Sequence, residues 1–449
     1  MPLTNKQEVY TNEFTRSQKL MEDRFGIFIH WGLYSVAARH EWVQKLENIS
    51  NDEYKKYFKH FDPDLYNPIL WAKAASNAGM KFFCVTAKHH DGFCLWNTDT
   101  TDYKSTNTPW GKDVLTPMVE AFRSEGLRTG IYYSLIDWHH PDFVIDSVHP
   151  LSNHPERNRL NAKRDQMRYI KYMHQQVREL LTRYAPIDLL FFDYSYPKKL
   201  TASSHTEDVW VGKGRLDWDS DNLLRLVREI APQAAVNDRL DIDDLQNGWD
   251  FRTPEQYEPR SWLEFKGQRV PWITCFTFSG SWGYHRDETT WKSVEQLIQS
   301  IINTVSKGGS VLLNVGPTGR GEFDERALDR LSGIGKWMKQ HSRSIHGCTA
   351  APNNLMPPQN CVYTYNPKIN RLYVHIYSWP NIHLHLDGLS ERIEYAQLLH
   401  DSSEIKIGLT DWYKAQISSQ EKLAKSTVTL SLPIQRPNVS VPVIELFLK

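Results

Sequence analysis

At 449 residues the chain exceeds one ordinary domain, and its 40% hydrophobic content suffices for a sizeable core, so two domains are expected. The 53 basic and 53 acidic residues cancel, which excludes the long-range field of a nucleic-acid binder or of a protein held on an acidic membrane. No stretch approaches the roughly 18 apolar residues of a membrane span and the first ten residues lack the apolar core of a signal peptide, so a cytoplasmic protein acting on a neutral ligand is expected.

Short apolar runs alternate with amphipathic stretches through about three quarters of the chain, the pattern of strand and helix units around a parallel sheet. The runs are Phe25 to His30, Phe82 to Ala87, Thr129 to Ser134, Leu189 to Asp193, Ala234 to Arg239, Phe251 to Glu255, Ile273 to Phe278 and Val311 to Val315. Eight such strands close a barrel. Helical patterns lie between most of them, at Asn67 to Ala78, Val114 to Glu125, Asn158 to Tyr184, Leu223 to Ile230 and Ser293 to Val305. Only Leu240 to Trp249 separates the fifth strand from the sixth, too little for a helix, so an irregular (β/α)8-like TIM barrel is expected over residues 1–344. A doubly wound sheet would place a glycine-rich phosphate loop after an early strand, and the sequence has none. From residue 345 to 449 the segments become short and alternating, as in Arg371-Leu-Tyr-Val-His-Ile-Tyr, which predicts a C-terminal antiparallel β-sandwich. The five cysteines are odd in number and sit in apolar runs, as buried free thiols do.

In a barrel of this kind the site forms where the strands end. The runs close on His30, on His89-His90-Asp91, on Tyr132-Tyr133-Ser134, on Asp193, on Asn237-Asp238-Arg239 and on Glu255, and the seventh leads to Ser281-Trp282-Gly283. Asp193 is the most informative of these, because a carboxylate ending a buried apolar strand costs several kcal/mol unless it is paired or serves a ligand. Glu255 is a second acid from a separate segment, and two such acids are the minimum set of a glycoside hydrolase. Glu41, Glu258 and Glu264 are rivals for its role, and Arg239 has two readings, a partner of Asp238 or a ligand contact. His89 and His90 suggest a metal, but neighbours on a strand point to opposite faces and chelate one ion poorly. A mouth mixing histidine, carboxylate, arginine and aromatic rings suits a neutral sugar.

The motifs Arg24-Phe-Gly-Ile-Phe-Ile-His30-Trp-Gly-Leu-Tyr-Ser35, Thr86-Ala-Lys-His89-His90-Asp91-Gly-Phe93 and Tyr132-Tyr133-Ser134 occur in an order that resembles the α-L-fucosidases of glycoside hydrolase family 29. The likeness continues through Asp193, Val236-Asn-Asp-Arg239, Thr253-Pro-Glu255, Ser281-Trp-Gly-Tyr284, Ser306-Lys-Gly-Gly309 and Leu313-Asn-Val-Gly-Pro317, over roughly residues 15 to 345. The resemblance implies a retaining exo-enzyme that removes terminal α-L-fucosyl units from oligosaccharides or glycosides and needs neither metal nor organic cofactor. It implies Asp193 as nucleophile and Glu255 as acid/base, with His30, Glu41, Trp42, His89, His90, Tyr133, Arg239 and Trp282 lining the sugar pocket. Two departures stand out. Ile273 occupies a position where many relatives carry glutamate, and Phe191-Phe192 replaces the tryptophan often found before the nucleophile. A non-catalytic fucose-binding lectin, a metal-dependent barrel hydrolase and a glycosidase of L-galactose are the competing readings. The natural linkage stays open, and so does assembly into a homo-oligomer.

Overall fold

The computed structural model describes residues 15–196, 212–244, 248–409 and 423–449. Seven parallel strands form one curled sheet: β1 (Phe25–Ile29), β2 (Phe82–Lys88), β3 (Arg128–Ser134), β4 (Leu189–Asp193), β5 (Ala235–Val236), β6 (Ile273–Thr277) and β7 (Ser310–Val315). Their spatial order is β5-β4-β3-β2-β1-β7-β6. Nearly every residue in them is buried, because helices cover the outer face and side chains from opposite strands fill the inner one. Alternation divides the two faces. Phe28, Cys84, Tyr132, Leu189, Phe191 and Cys275 belong to the inner cluster, while Ile27, Val85, Ile131, Tyr133, Leu190 and Phe192 pack in the layer beneath the helices.

The gap between β5 and β6 is spanned by residues 250–256, the segment expected to be the sixth strand. It pairs only intermittently: Asp250 N donates to Val236 O at 2.8 Å, Arg252 N to Pro271 O at 2.9 Å, Ile273 N to Arg252 O at 2.9 Å and Cys275 N to Pro254 O at 3.1 Å. A regular parallel ladder would next take an N–H from residue 254, and Pro254 has none. The neighbouring β5 is also shorter than expected. Asn237 ends it by using its side chain, with Phe192 N donating to Oδ1 and Nδ2 donating to Phe192 O, both at 2.9 Å. The ring is therefore closed by isolated bridges on one flank.

Helices Pro68–Asn77, Leu115–Ser124, Ser220–Ile230 and Val294–Val305 stand where the periodicity places them. The long pattern from 158 to 184 is broken into Arg157–Asn161 and Gln166–Arg183, because Asp165 caps the second helix by accepting from Met167 N and Arg168 N. The sequence reading overlooked helix Glu325–His341, whose Trp337 Nε1 donates to Val441 O of the C-terminal part at 2.9 Å.

That part comprises two antiparallel sheets. One has the order β8-β9-β14-β11, from Cys361–Asn366, Arg371–Ile376, Val443–Leu448 and Ile393–Leu398. The other has the order β10-β13-β12, from His383–Leu386, Val428–Ser431 and Lys406–Ile407. Leu372, Val374, Leu386, Leu430 and Ile444 fill the space between them. Within the sandwich Trp379 Nε1 donates to Pro433 O at 3.1 Å. All five cysteines are buried and unbridged. Among the described residues no helix is long and apolar enough to cross a membrane.

Arg24 ties the two parts together. It is buried, and its guanidinium donates to Cys348 O at 2.6 Å, Gly308 O at 2.6 Å and Gly309 O at 3.1 Å. Arg24→Ala leaves three buried carbonyls without that donor and is expected to cost about 3 kcal/mol or more, read as a lower urea midpoint. An unchanged midpoint would show that water replaces the guanidinium at no cost.

Candidate active site

The inward parity of β4 that turns Leu189 and Phe191 into the barrel also turns Asp193 inward, at the mouth. Its carboxylate is held from two sides: Arg239 Nη1 donates to Oδ1 at 2.6 Å and the Tyr132 hydroxyl donates to Oδ2 at 2.7 Å. The other terminal nitrogen, Arg239 Nη2, donates to Glu255 Oε2 at 2.6 Å. One guanidinium thus brings together the two acids singled out from the sequence. Asp193 is the more enclosed, with its side chain 12% exposed against 39% for Glu255.

Arg239 is not the partner of Asp238. Arg252 takes that role at 3.2 Å, and Thr253 Oγ1, which accepts from Arg239 Nε at 3.2 Å, donates to Asp238 at 2.5 Å. Asp193 and Glu255 outweigh the effect of burial on Arg239 and keep its pKa well above the ordinary value.

The structure does not bring Tyr133 to the pocket. Its hydroxyl donates to Gln176 Oε1 at 2.8 Å in the helix layer, and Tyr132 is the tyrosine that reaches Asp193. The two differ by one residue on a strand, so they face opposite sides of the sheet. The parity of Leu189, Phe191 and Asp193 does not transfer between strands without the register, which pairs Tyr132 with Phe191.

His89 and His90 do share one side, with ring centroids 4.1 Å apart, because β2 ends at Lys88 and the chain turns there. Strand alternation therefore does not separate them onto opposite faces. Among the described residues no group of three or more histidine, cysteine, aspartate or glutamate side chains has the arrangement to hold a metal ion.

Hydrogen bonds fix the tautomers of two imidazoles. Asn314 Nδ2 donates to Trp282 O at 2.7 Å, so its Oδ1 faces His30 Nδ1 at 2.6 Å and must accept from it. Ser134 Oγ donates to Ile136 O at 2.8 Å, so His90 Nδ1, 2.7 Å away, is the donor to that oxygen. Both rings therefore present Nε2 as an acceptor, and that of His90 lies 3.8 Å from Asp193 Oδ2. Burial drives the pKa of each ring down to about 3, against the raising effect of Asn314 on His30 and with Lys88 and Arg239 adding to the lowering of His90. His89 is lowered as well, by burial and then by His90 and His30.

Aromatic rings form the walls. Phe28 lies 5.2 Å from Phe191 and 6.1 Å from Trp282, and Trp282 lies 5.0 Å from His30. Trp42 meets His90 edge-on at 5.1 Å and Trp138 at 5.3 Å. Glu41 is buried, and its Oε2 accepts from Trp282 N at 3.1 Å and Gly283 N at 3.0 Å, which leaves it a support of the Trp282 loop. Only glycine fits at 283, where a Cβ would come within 2.8 Å of the Tyr34 ring. Burial raises the Glu41 pKa against the lowering effects of His40 and these N–H groups. Of the other rival acids, Glu258 accepts from Asn303 Nδ2 at 3.2 Å and Glu264 is exposed on a small hairpin, so Glu255 is the glutamate that shares a cation with Asp193.

A buried pair supports this mouth from behind. Lys88 Nζ donates to Asp137 Oδ2 at 3.1 Å, while Asp137 Oδ1 accepts from His139 N and His140 N, and Trp138 N donates to His90 O at 2.8 Å. The loop after β3 is thereby fastened to the end of β2. Tyr132, Asn314, Ser134 and Asp137 contribute without having been expected as site residues, although the first three lie within the motifs noted above; for Tyr132 only the parity was lacking.

A group kept neutral in the folded state loses to protonation of the unfolded chain as pH falls, so the stability that His30 contributes is complete above pH 6.5 and is lost toward pH 3. The wild-type urea midpoint is expected to drop steadily between pH 6.5 and about 4, with His30→Gln removing about 3 kcal/mol of the stability lost over that interval. A midpoint flat across the interval would mean that the ring is protonated in place.

Known proteins resemble this chain in sequence and in overall fold. Residues 3–343 match the family model described as alpha-L-fucosidase. The chain is 26% identical to the alpha-L-fucosidase of Dictyostelium discoideum across 94% of its own length and 90% of that protein. Its structure is similar to that of alpha-L-fucosidase isoenzyme 1 from Paenibacillus thiaminolyticus, with a TM-score of 0.88, 39% identity and coverage of 98% of this chain and 100% of the other. It is also similar to a family 29 alpha-L-fucosidase from Bacteroides thetaiotaomicron, with a TM-score of 0.80, 25% identity and coverage of 97% and 95%.

Proposed function

This chain belongs to the α-L-fucosidase family and is a glycoside hydrolase acting on terminal α-L-fucosyl units, and we propose that it does so by double displacement with Asp193 as nucleophile and Glu255 as acid/base. The observation that carries the assignment of roles is the single guanidinium of Arg239 shared by the two carboxylates.

Asp193 is the better nucleophile of the pair by position. It is the deeper group, oriented by Arg239 on one oxygen and by Tyr132 on the other, and its attack on the anomeric carbon comes from the face opposite the departing oxygen. Glu255 is nearer the opening, where the leaving group exits. It protonates the glycosidic oxygen in the first step and, as a carboxylate, takes a proton from water in the second, when water cleaves the fucosyl ester of Asp193. The Nε2 atoms of His30 and His90 supply neutral acceptors for sugar hydroxyls, and the Phe28, Phe191 and Trp282 rings supply an apolar wall for the C6 methyl group. Retention in this mechanism requires carboxyl groups about 5 to 5.5 Å apart once substrate is bound. The five buried thiols are in keeping with a reducing, cytoplasmic setting.

Asp193→Gly is expected to lower turnover of an aryl α-L-fucoside by about 10³-fold or more, and azide is expected to restore part of the rate with a β-L-fucosyl azide as product. An active variant, or an azide product of α configuration, would remove Asp193 from the role. Glu255→Gln should depress hydrolysis of a fucosylated disaccharide about tenfold more than formation of the fucosyl-enzyme from an aryl fucoside, since phenolate departs without a proton. Equal losses in pre-steady-state and disaccharide assays would assign the acid elsewhere. Binding of fucose with no cleavage of any fucoside by the wild type would favour the lectin reading.

A further inference from the structure

The residue after the nucleophile breaks the rule that places its neighbours. On β4, residues 189, 191 and 193 face the barrel interior and 190 and 192 face the helices, so residue 194 would continue outward. Tyr194 instead has a φ of 97°, a conformation that side-chain-bearing residues rarely adopt. Its ring stands at the mouth, 5.7 Å from Trp42, 5.4 Å from His90 and 5.0 Å from Tyr196.

The backbone on either side holds it there. Leu135 N donates to Asp193 O at 2.7 Å, Ser195 Oγ donates to Arg239 O at 2.6 Å, and Tyr196 N donates to Lys213 O at 2.8 Å. Trp218 Nε1 donates in turn to Ser195 Oγ at 3.1 Å. Strain that the surroundings over-determine so fully is a sign of a local task, and packing alone would be served by a residue at ordinary φ.

We propose that Tyr194 is a specificity-determining residue: its ring forms the aromatic wall on which the sugar ring of the leaving group packs. The inference rests on the reading of Glu255 as acid/base. The glycon is read above as meeting the enclosed Phe28, His30, His90 and Phe191, whereas Tyr194 is half-buried at the rim. Burial raises the Tyr194 phenol to about 12, and the charges of Asp193 and Glu255 add to the rise, as expected for a ring beside both acids. The group bonded through the oxygen that Glu255 protonates therefore emerges along this ring. A neutral pyranose offers an apolar face of C–H groups that matches a flat aromatic surface.

The test compares wild type with Tyr194→Phe, Tyr194→Gly and Tyr194→Asn on α-L-fucosyl fluoride, whose leaving group has no ring, and on a fucosylated disaccharide. Tyr194→Phe should match wild type on both, since the wall needs the ring and not the hydroxyl. The Gly and Asn variants, both at ease at positive φ, should lose about tenfold or more in kcat/KM on the disaccharide while staying within about threefold on the fluoride. Inhibition by free fucose should be unchanged. Equal losses on the two substrates, weakened fucose inhibition, or full disaccharide activity in both variants would overturn the proposal. A wild type inert to both substrates would remove the functional reading and this inference together, whereas an active wild type with indifferent variants would remove the inference alone.

Discussion

The guanidinium of Arg239 is the element on which the arrangement of the site depends. Two carboxylates that reach the mouth from different segments, one on β4 and one on the irregular stretch after β5, would repel each other in a half-enclosed space. A planar fork with two terminal nitrogens can hold one on each arm, and a lysine ammonium, as a point charge, would not fix their relative orientation in the same way. Thr253 steadies the third nitrogen, and Asp238 is drawn away by Arg252, so the fork is left to the two acids.

The irregularity of the barrel serves that placement. Asn237 stops β5 with its own side chain, and two residues later Arg239 is free to turn into the mouth. Pro254 interrupts the ladder just before Glu255, which leaves Glu255 on a segment tied to β6 by isolated bonds. Regular strands would have continued the two-residue alternation through these positions. What looks like a defect in an eightfold pattern is where the sheet delivers a cation and an acid to one place.

Behind the mouth, the structure commits charge and hydrogen bonds to holding neutral groups still. The Lys88–Asp137 pair is fully buried, an arrangement that contributes little net stability but is costly to break, and it fastens the loop carrying Trp138 to the backbone of His90. Asn314 and Ser134 fix which nitrogen of each imidazole carries its proton. A polar pocket for an uncharged sugar needs such fixed donors and acceptors, since no strong Coulombic attraction orients the ligand.

The amino-acid sequence by itself determined the class of fold, the family and the position of Asp193 at the end of a buried strand, because these depend on local signals: apolar runs closing on polar residues, and motifs in a fixed order. It also placed His30, His89, His90 and Trp282 at strand ends, where the structure finds them. Tertiary structure alone decided which member of the Tyr132-Tyr133 pair faces Asp193, since that depends on the register of β3 against β4. It alone set Glu255, and not Glu41, Glu258 or Glu264, on the cation that holds Asp193, because each glutamate's surroundings come from far away in the chain: Arg239, the backbone of residues 282–283, Asn303, and solvent. A carboxylate's chemistry is set by what surrounds it in space, and sequence neighbours do not report that.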